Sequence, residues 1–194
     1  AEFRILLRQD NADARLTPLS HSIGLASDER MGHLERKLAH LSRLEQVLSE
    51  ESIAPEDANP ILVPCGTDAL KQKVKLKSLL LRPQLSYADL EAISTHLSGL
   101  TSGFGALRNE VAEQAEIKVK YEGYISKERD MAERISHLED VPLETDMVYE
   151  KLTSLSIEAR QKLAKVRPST LGQASRISGI SPSDISVLMV YLGR

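Results

Sequence analysis

The residues that could carry catalysis or hold a metal are few and scattered along this sequence. Cys65 stands alone, without the second cysteine of a C-x-x-C pair. His33 and His40 are seven residues apart, two turns along a helix, which is too far for a shared metal without further ligands. No Gly-rich dinucleotide motif or P-loop is present. These residues indicate no catalytic site, and the helix face with His33, Lys37 and His40 is interpreted as solvated.

The stretch EIKVKYEGYI, residues 116–125, is the first candidate binding segment. Its apolar residues fit either a strand or a helix, but both flanks are rich in helix formers and lack Gly and Pro. We therefore predict one long helix over about residues 107–138. Gly123 inside it costs about 1 kcal/mol relative to Ala. Either tight packing of a second helix, the usual role of an interior Gly, or close approach of another backbone or ligand beside Tyr121 and Tyr124 explains it.

The C-terminal tail is the second candidate. Its caps and prolines predict three short helices, over residues 157–165, 171–177 and 183–192. The turn from Ile177 to Pro182 is similar to a helix-hairpin-helix turn, in which backbone N–H groups at Gly179 and Ser181 could hold a phosphate. Nearby basic side chains could neutralise further phosphates: Arg160, Lys165, Arg167 and Arg176. A plain capped helical turn explains the same residues and remains the alternative.

Composition narrows the classes of protein. The 194 residues carry 25 basic and 28 acidic side chains, a formal charge of −3, so any nucleic-acid surface must be local. One cysteine excludes a disulfide within the chain and suits the reducing cytoplasm. No apolar run approaches the length of a membrane span, and no signal peptide is visible. The chain starts AEFRILL, without Met, and we expect it to be part of a longer protein.

The elements that position these candidates are predicted to be helices. Ser27 or Asp28 caps a helix whose apolar stripe is Met31, Leu34, Leu38, Leu41, Leu44 and Leu48. Thr17 and Pro18 are expected to begin the helix before it. Residues 54–67 and the Gly-rich GLTSGFGAL, residues 99–107, are expected to be irregular. Residues 68–83 carry a net charge of +4, with alternating lysines at 71, 73, 75 and 77.

The predicted fold class is all-α: an irregular helical body over residues 1–140, a linker, and a small three-helix module over residues 148–194. Charge supports this division, because residues 128–150 have a net charge of −6 and residues 152–194, which include Arg194, have +4.

Three segments together resemble a known family. EFRILLRQDNADARLT (2–17), IKVKYEGYI (117–125) and RPSTLGQASRISGISPSDISVLMVYL (167–192) are similar to the C-terminal part of the GidA/MnmG family. These FAD-dependent enzymes install a carboxymethylaminomethyl group on the wobble uridine of certain tRNAs. Residues 52–110 match poorly beyond LLLRPQLSYADL.

The resemblance implies a longer parent enzyme. Such an enzyme has an N-terminal FAD-binding domain, uses NADH, forms a homodimer and works with a GTPase of the MnmE family. Its C-terminal helical region is associated with docking the GTPase and with tRNA. No FAD is expected in this fragment, which lacks the Gly-rich flavin motif. The matching positions are Lys120, Tyr121, Gly123, Tyr124, Arg167, Pro168, Gly172, Gln173, Ala174, Arg176, Gly179 and Ile180.

The resulting hypothesis is a recognition domain for tRNA and the GTPase, without catalysis of its own. Its predicted binding residues are Lys118, Lys120, Tyr121, Gly123, Tyr124, Arg160, Lys165, Arg167, Arg176, Gly179 and Ser181. Alternatively, the apolar residues Ile180, Leu188 and Tyr191 of the tail dock the GTPase. The competing hypothesis is a purely structural domain that packs on the flavin domain or on a dimer mate; an independent enzyme is the weakest possibility.

Overall fold

The computed structural model describes residues 3–144 and 146–193. Glu2 of the first resembling segment and Arg194 of the basic tail therefore lie outside the described residues. The chain divides into two compact units between Ser126 and Lys127. The predicted independence of residues 148–194 as a module stays a prediction. Within the described ranges, none of the helices combines the length and the apolar character that crossing a bilayer requires.

The regular secondary structure of the first unit is almost entirely helical. Its elements are α1 (Ala12–Ser22), α2 (Asp28–Glu50), β1 (Ser52–Ile53), α3 (Pro55–Leu62), β2 (Val74–Lys75), α4 (Leu76–Leu80), α5 (Tyr87–Ile93), α6 (Thr95–Ser102), a 3-10 turn (Gly105–Leu107) and α7 (Arg108–Lys120). The two short strands pair antiparallel, Ser52 with Lys75 and Ile53 with Val74. The predicted all-α class is confirmed.

Helix α2 supplies one side of the first core. Ser27 caps it, accepting a hydrogen bond from the Arg30 N–H at 3.3 Å. Four leucines of the predicted stripe are buried: Leu34, Leu41, Leu44 and Leu48. Leu38 is 39% exposed, however, and Lys37 is buried in its place. The predicted stripe was wrong at Leu38, because Lys37, whose ammonium group is paired with carboxylates, takes the buried position in this turn of the helix.

Helix boundaries that were predicted from proline, glycine and cap residues were wrong at other places. Helix α1 begins at Ala12, with Pro18 in its interior, although Thr17 and Pro18 were expected to start it. Thr17 is instead buried on the side of α1 that packs against α2, so tertiary packing outweighs the cap signal. The supposedly irregular residues 54–67 contain α3, and α6 extends through part of the Gly-rich segment to Ser102.

The helical interpretation of residues 116–125 is confirmed, but the one expected helix is two. Helix α7 ends at Lys120, and α8 (Glu122–Glu139) follows after Tyr121. Tyr121 has φ −102° and ψ 5°, so the helical path is interrupted for a single residue. Hydrogen bonds of helical spacing continue on both sides, from the Tyr121 N–H to Ile117 at 2.9 Å and from the Ile125 N–H to Tyr121 at 2.8 Å.

The second unit contains the end of α8, a 3-10 turn (Tyr149–Lys151), α9 (Ile157–Val166), α10 (Leu171–Ser175) and α11 (Pro182–Tyr191). These bounds lie close to the three helices predicted from the tail. Ser156, Thr170 and Ser181 cap the three helices through their side-chain oxygens. The enclosed core includes Tyr149, Leu155, Leu163, Leu171, Ala174 and Leu188.

Candidate RNA and protein interface

Two tyrosines project at the junction of α7 and α8. Tyr121 is 48% exposed and Tyr124 is 62% exposed. Their ring centroids lie 6.3 Å apart, and the ring planes are tilted by 52°. Helix α8 has no buried side chain over its 18 residues. The tyrosine pair, Tyr121 and Tyr124, therefore offers aromatic surface of which the described residues leave about half uncovered.

Gly123 lies between these tyrosines and has open space above it. A Cβ atom added there would meet no heavy atom within 4 Å among the described residues. Tight packing of a second helix of this chain, one of the two predicted reasons for the glycine, is therefore wrong for the described residues. Approach of a backbone or ligand from outside the chain is the reason that remains.

The two lysines before this junction are already engaged. Lys118 forms an ion pair with Glu45, with Nζ 2.6 Å from Oε1. Lys120 donates to the Leu85 carbonyl and to the Glu116 carboxylate, both at 2.7 Å. Lys118 is exposed and could exchange partners, whereas Lys120 is held from two directions.

The predicted hairpin turn is a capped turn. Ser181 and Asp184 form a capping box: the Ser181 N–H donates to Asp184 at 2.9 Å, and the Asp184 N–H donates to Ser181 Oγ at 3.2 Å. Asp184 also accepts from the Ser156 N–H at 3.0 Å. Burial raises the pKa of Asp184, but these hydrogen bonds outweigh it and hold the pKa below its usual value. An internal carboxylate thus takes the N–H of Ser181 that was considered for phosphate.

Gly179 in the same turn is held closely by α9. Its φ of +89° favours glycine, and a Cβ atom would overlap the side-chain ends of Glu158 and Lys162. Lys162 donates to the Ser178 carbonyl and to Glu158, the latter at 2.6 Å. The turn is therefore covered on this side by an ion pair of its own unit.

The basic side chains of the tail differ in their surroundings. Arg176 is paired with Glu139, whose carboxylate occupies the space where a Cβ of Gly172 would lie. Arg167 has φ +52°, and its guanidinium donates to the Met147 carbonyl at 3.4 Å. Lys165 is exposed and has no charged partner among residues 3–144 and 146–193.

Arg160 lines a cavity of 280 Å³ together with Glu150, Ile157 and Gln161. Its Nε is buried and has no hydrogen-bond partner in the described parts of the chain. Of the apolar tail residues proposed for docking, Tyr191 is 60% exposed and Ile180 is half-buried. Leu188 is fully buried in the core, so it cannot contact a partner and that prediction was wrong.

The sequence interpretation missed a buried ion-pair cluster. Lys37, only 1% exposed, donates to Asp13 at 2.6 Å and to Glu110 at 2.5 Å, joining α1, α2 and α7. The predicted solvated face was thus wrong at Lys37. Burial lowers the pKa of Lys37, but the hydrogen bonds and charges of Asp13 and Glu110 outweigh it and raise the pKa above its usual value. The only signal in the sequence was its spacing, because Lys37 is three residues after Leu34 and four before Leu41.

The described residues do not fit a flavin or a metal. A dinucleotide site needs strands leading into a Gly-rich turn, whereas β1 and β2 have two residues each. No group of three or more His, Cys, Asp or Glu side chains is placed to hold a metal ion in the ranges that the structure covers. What these surfaces can offer is aromatic stacking and positive charge.

Two family models match the chain. One, described as the tRNA modifying enzyme MnmG/GidA C-terminal helical domain, matches residues 28–129. The other, described as the tRNA modifying enzyme MnmG/GidA C-terminal helical bundle, matches residues 131–194.

Curated relatives and solved structures agree with these matches. The tRNA uridine 5-carboxymethylaminomethyl modification enzymes MnmG of Flavobacterium psychrophilum and Cytophaga hutchinsonii are 48% and 46% identical over 100% of this chain. The chain spans 31% of the length of each. GidA of Aquifex aeolicus, in its form II crystal, has a TM-score of 0.60 at 31% identity, covering 96% of this chain and 28% of that one.

Proposed function

The chain belongs to the MnmG/GidA family of tRNA modifying enzymes, as its C-terminal helical region, and we propose that it recognises tRNA and docks the MnmE-family GTPase. Catalysis is assigned to the remainder of the parent enzyme. We propose that the parent adds the carboxymethylaminomethyl group to the wobble uridine, carries FAD and uses NADH upstream of this region. It is further proposed to be a cytoplasmic homodimer.

The observation that carries this proposal is the tyrosine pair beside the open Gly123. Large aromatic side chains in water gain free energy when a partner covers them. Unpaired RNA bases stack readily on such rings, each stack contributing about 1 to 3 kcal/mol. The absence of a contacting side chain at Gly123 among the described residues leaves room for a close approach.

The tail is proposed to add phosphate contacts. Lys165 is exposed, and Arg176 is exposed although Glu139 holds it. A phosphate would compete with the Glu139 carboxylate for the same guanidinium. Arg160 and Arg167 stay candidates for contacts nearby. Gly179 and Ser181 then serve to shape the turn that carries Arg176, and the GTPase is proposed to contact Tyr191.

A purely structural role is the second candidate, and helix α1 favours it. Leu16, Leu19 and Ile23 are each more than half exposed and recur at helical spacing on one face. This stripe could pack on the upstream flavin domain or on a dimer mate. The two roles are compatible, because the stripe and the tyrosine pair belong to different helices.

Separate titrations of the 194-residue chain with in vitro transcribed tRNA and with the GTPase test the proposal. Tyr124→Ala should weaken tRNA binding about tenfold, in keeping with the loss of one stacked base. Tyr191→Ala is the matched control for tRNA binding, because Tyr191 is equally exposed but is proposed to contact the GTPase instead. If neither partner binds even at low salt, the structural role is favoured instead.

The Arg176–Glu139 ion pair allows two substitutions that should change tRNA affinity in opposite directions. Arg176→Ala should weaken tRNA binding and make it less dependent on salt. Glu139→Gln should strengthen binding, because it removes the internal carboxylate that competes for the guanidinium. If both substitutions leave tRNA affinity unchanged, Arg176 has only a structural role in the second unit.

A further inference from the structure

The lysine row of residues 71–77 is a charged surface that the proposed function leaves unexplained. Lys71, Lys73 and Lys75 are exposed, and Lys77 is half-buried. Between them, Val74 packs against the first core and Leu76 is fully buried. Lys73 and Lys75 therefore face outward on the same side of an extended segment, about 6.6 Å apart along it.

This segment is fixed at both ends. Asn59 accepts from the Leu70 N–H at 2.6 Å and donates to the Leu70 carbonyl at 3.1 Å. At the other end, the Leu76 N–H donates to the Glu51 carbonyl at 3.0 Å. Buried leucines and hydrogen bonds therefore anchor the backbone on both sides of Lys71, Lys73 and Lys75, which lowers the cost of ordering them on binding.

The charge of this row is mostly uncompensated. Lys71 and Lys73 have no hydrogen bond or ion pair within residues 3–144 and 146–193. Lys75 donates to the Glu50 carbonyl at 2.6 Å, and a neutral carbonyl leaves its charge in place. Asp68 is the one acid among residues 68–83. By contrast, Lys118 and Lys120 are each paired with a carboxylate.

The row leads directly to the tyrosine pair. Lys77 Nζ lies 2.8 Å from Glu122 Oε1, and Glu122 is the residue between Tyr121 and Gly123. A group of neighbouring cations beside exposed aromatic rings is an arrangement by which proteins bind single-stranded nucleic acid. The cations follow the phosphates while the rings stack on bases.

We propose that Lys71, Lys73 and Lys75 bind the phosphates of an unpaired RNA strand whose bases stack on Tyr121 and Tyr124. This inference rests on the proposed function and adds to it the path of the RNA on the first unit. The adjacent aromatic rings favour RNA over an acidic protein partner, which would need no stacking surface. Lys77 stays paired with Glu122 and aligns the row with the rings.

The test is tRNA binding by the 194-residue chain over a salt series from roughly 50 to 200 mM. The double variant Lys71→Gln/Lys73→Gln removes two charges that have no internal partner, so the fold should be retained. Loss of two phosphate contacts should make the slope of log K against log salt shallower by about 1.4. Affinity at the low-salt end should fall about sevenfold more than at the high-salt end, by the same relation.

Arg36→Gln/Lys151→Gln is the matched control, because it makes the same charge change at exposed positions outside this row and outside the helical turns that carry the tyrosine pair. Its slope should equal that of the unsubstituted chain. Equal slopes for both double variants would overturn the inference, even if Tyr124→Ala weakens binding and the proposed function stands. Weaker GTPase binding with unchanged tRNA binding would also overturn it, in favour of an acidic protein partner. Failure of the unsubstituted chain to bind tRNA would remove both proposals.

Discussion

Replacing Gly123 by alanine should stabilise the free chain and weaken its complexes. Gly123 is in the first turn of α8, and an added Cβ has no described atom within 4 Å. Replacing glycine by alanine inside a helix raises the free energy of unfolding by about 1 kcal/mol. In the first turn, we expect a gain of about 0.5 to 1 kcal/mol. For a chain of this size, that gain raises Tm by about 1 to 4 °C.

The same methyl group should obstruct a partner that approaches Gly123. Overfilling a packed contact costs about 1 to 3 kcal/mol, which corresponds to about 5- to 150-fold weaker binding. Thermal unfolding followed by circular dichroism gives the stability, and titration with tRNA and with the GTPase gives the affinities. Gly123→Ala is thus expected to move the two measurements in opposite directions.

Gly99→Ala is the control for this experiment. Gly99 lies inside α6, is exposed, and likewise has nothing within 4 Å of an added Cβ. It should stabilise the chain without changing affinity. A loss of stability in Gly123→Ala would refute the open space above α8. Unchanged affinity for both partners would refute their close approach to this glycine.

Three further substitutions test the interior. Lys37→Met keeps the buried aliphatic stem but removes the ammonium group that binds two partly exposed carboxylates. The free energy of unfolding in urea should therefore fall by about 1 to 3 kcal/mol. Lys37→Ala should lower it further, because the buried stem is also lost. Because the pKa of Asp184 is lowered by folding, its contribution is present above about pH 4 and is lost as pH falls through the lower folded pKa. Asp184→Asn should remove this part of the acid sensitivity and cost about 1 to 3 kcal/mol at neutral pH, whereas exposed Asp140→Asn should do neither. Gly179→Ala should cost more than Gly66→Ala in the same unfolding assay, because both have positive φ but only Gly179 also contacts side chains.

Local signals predicted much of the fold. The Ser27 cap of α2 and the Ser181 cap of α11 each depend on the residue three positions later, and both form in the structure. The position of Lys37 could not be predicted in this way, because its partners are 24 and 73 residues away. Pro18 misled the prediction of α1 for the same reason, since packing against α2 decides where that helix begins.

The sequence predicted which residues belong to the candidate site better than it predicted which of their charged side chains are free and which are in ion pairs. The segment around Tyr121 and Tyr124 was identified from its period and its flanks, and the structure places both rings at the surface. Whether a cation is free or paired depends on which acids folding brings near it. Arg176 meets Glu139, which is 37 residues earlier, so its ion pair was invisible in the sequence.

The hydrogen bonds to the Asp184 carboxylate affect how the second unit assembles. Its carboxylate accepts hydrogen bonds from the backbone N–H groups of Ser156, which caps α9, and Ser181, which caps α11. Ser156 and Asp184 are 28 residues apart in the sequence. If α9 forms alone, the Ser156 N–H at its start therefore has no hydrogen-bond partner. The entropy cost of closing the intervening loop must be met before the hydrogen bond to Asp184 can form. We expect this unit to appear in refolding kinetics as one concerted phase, with no long-lived species in which α9 is complete and α11 is still coil.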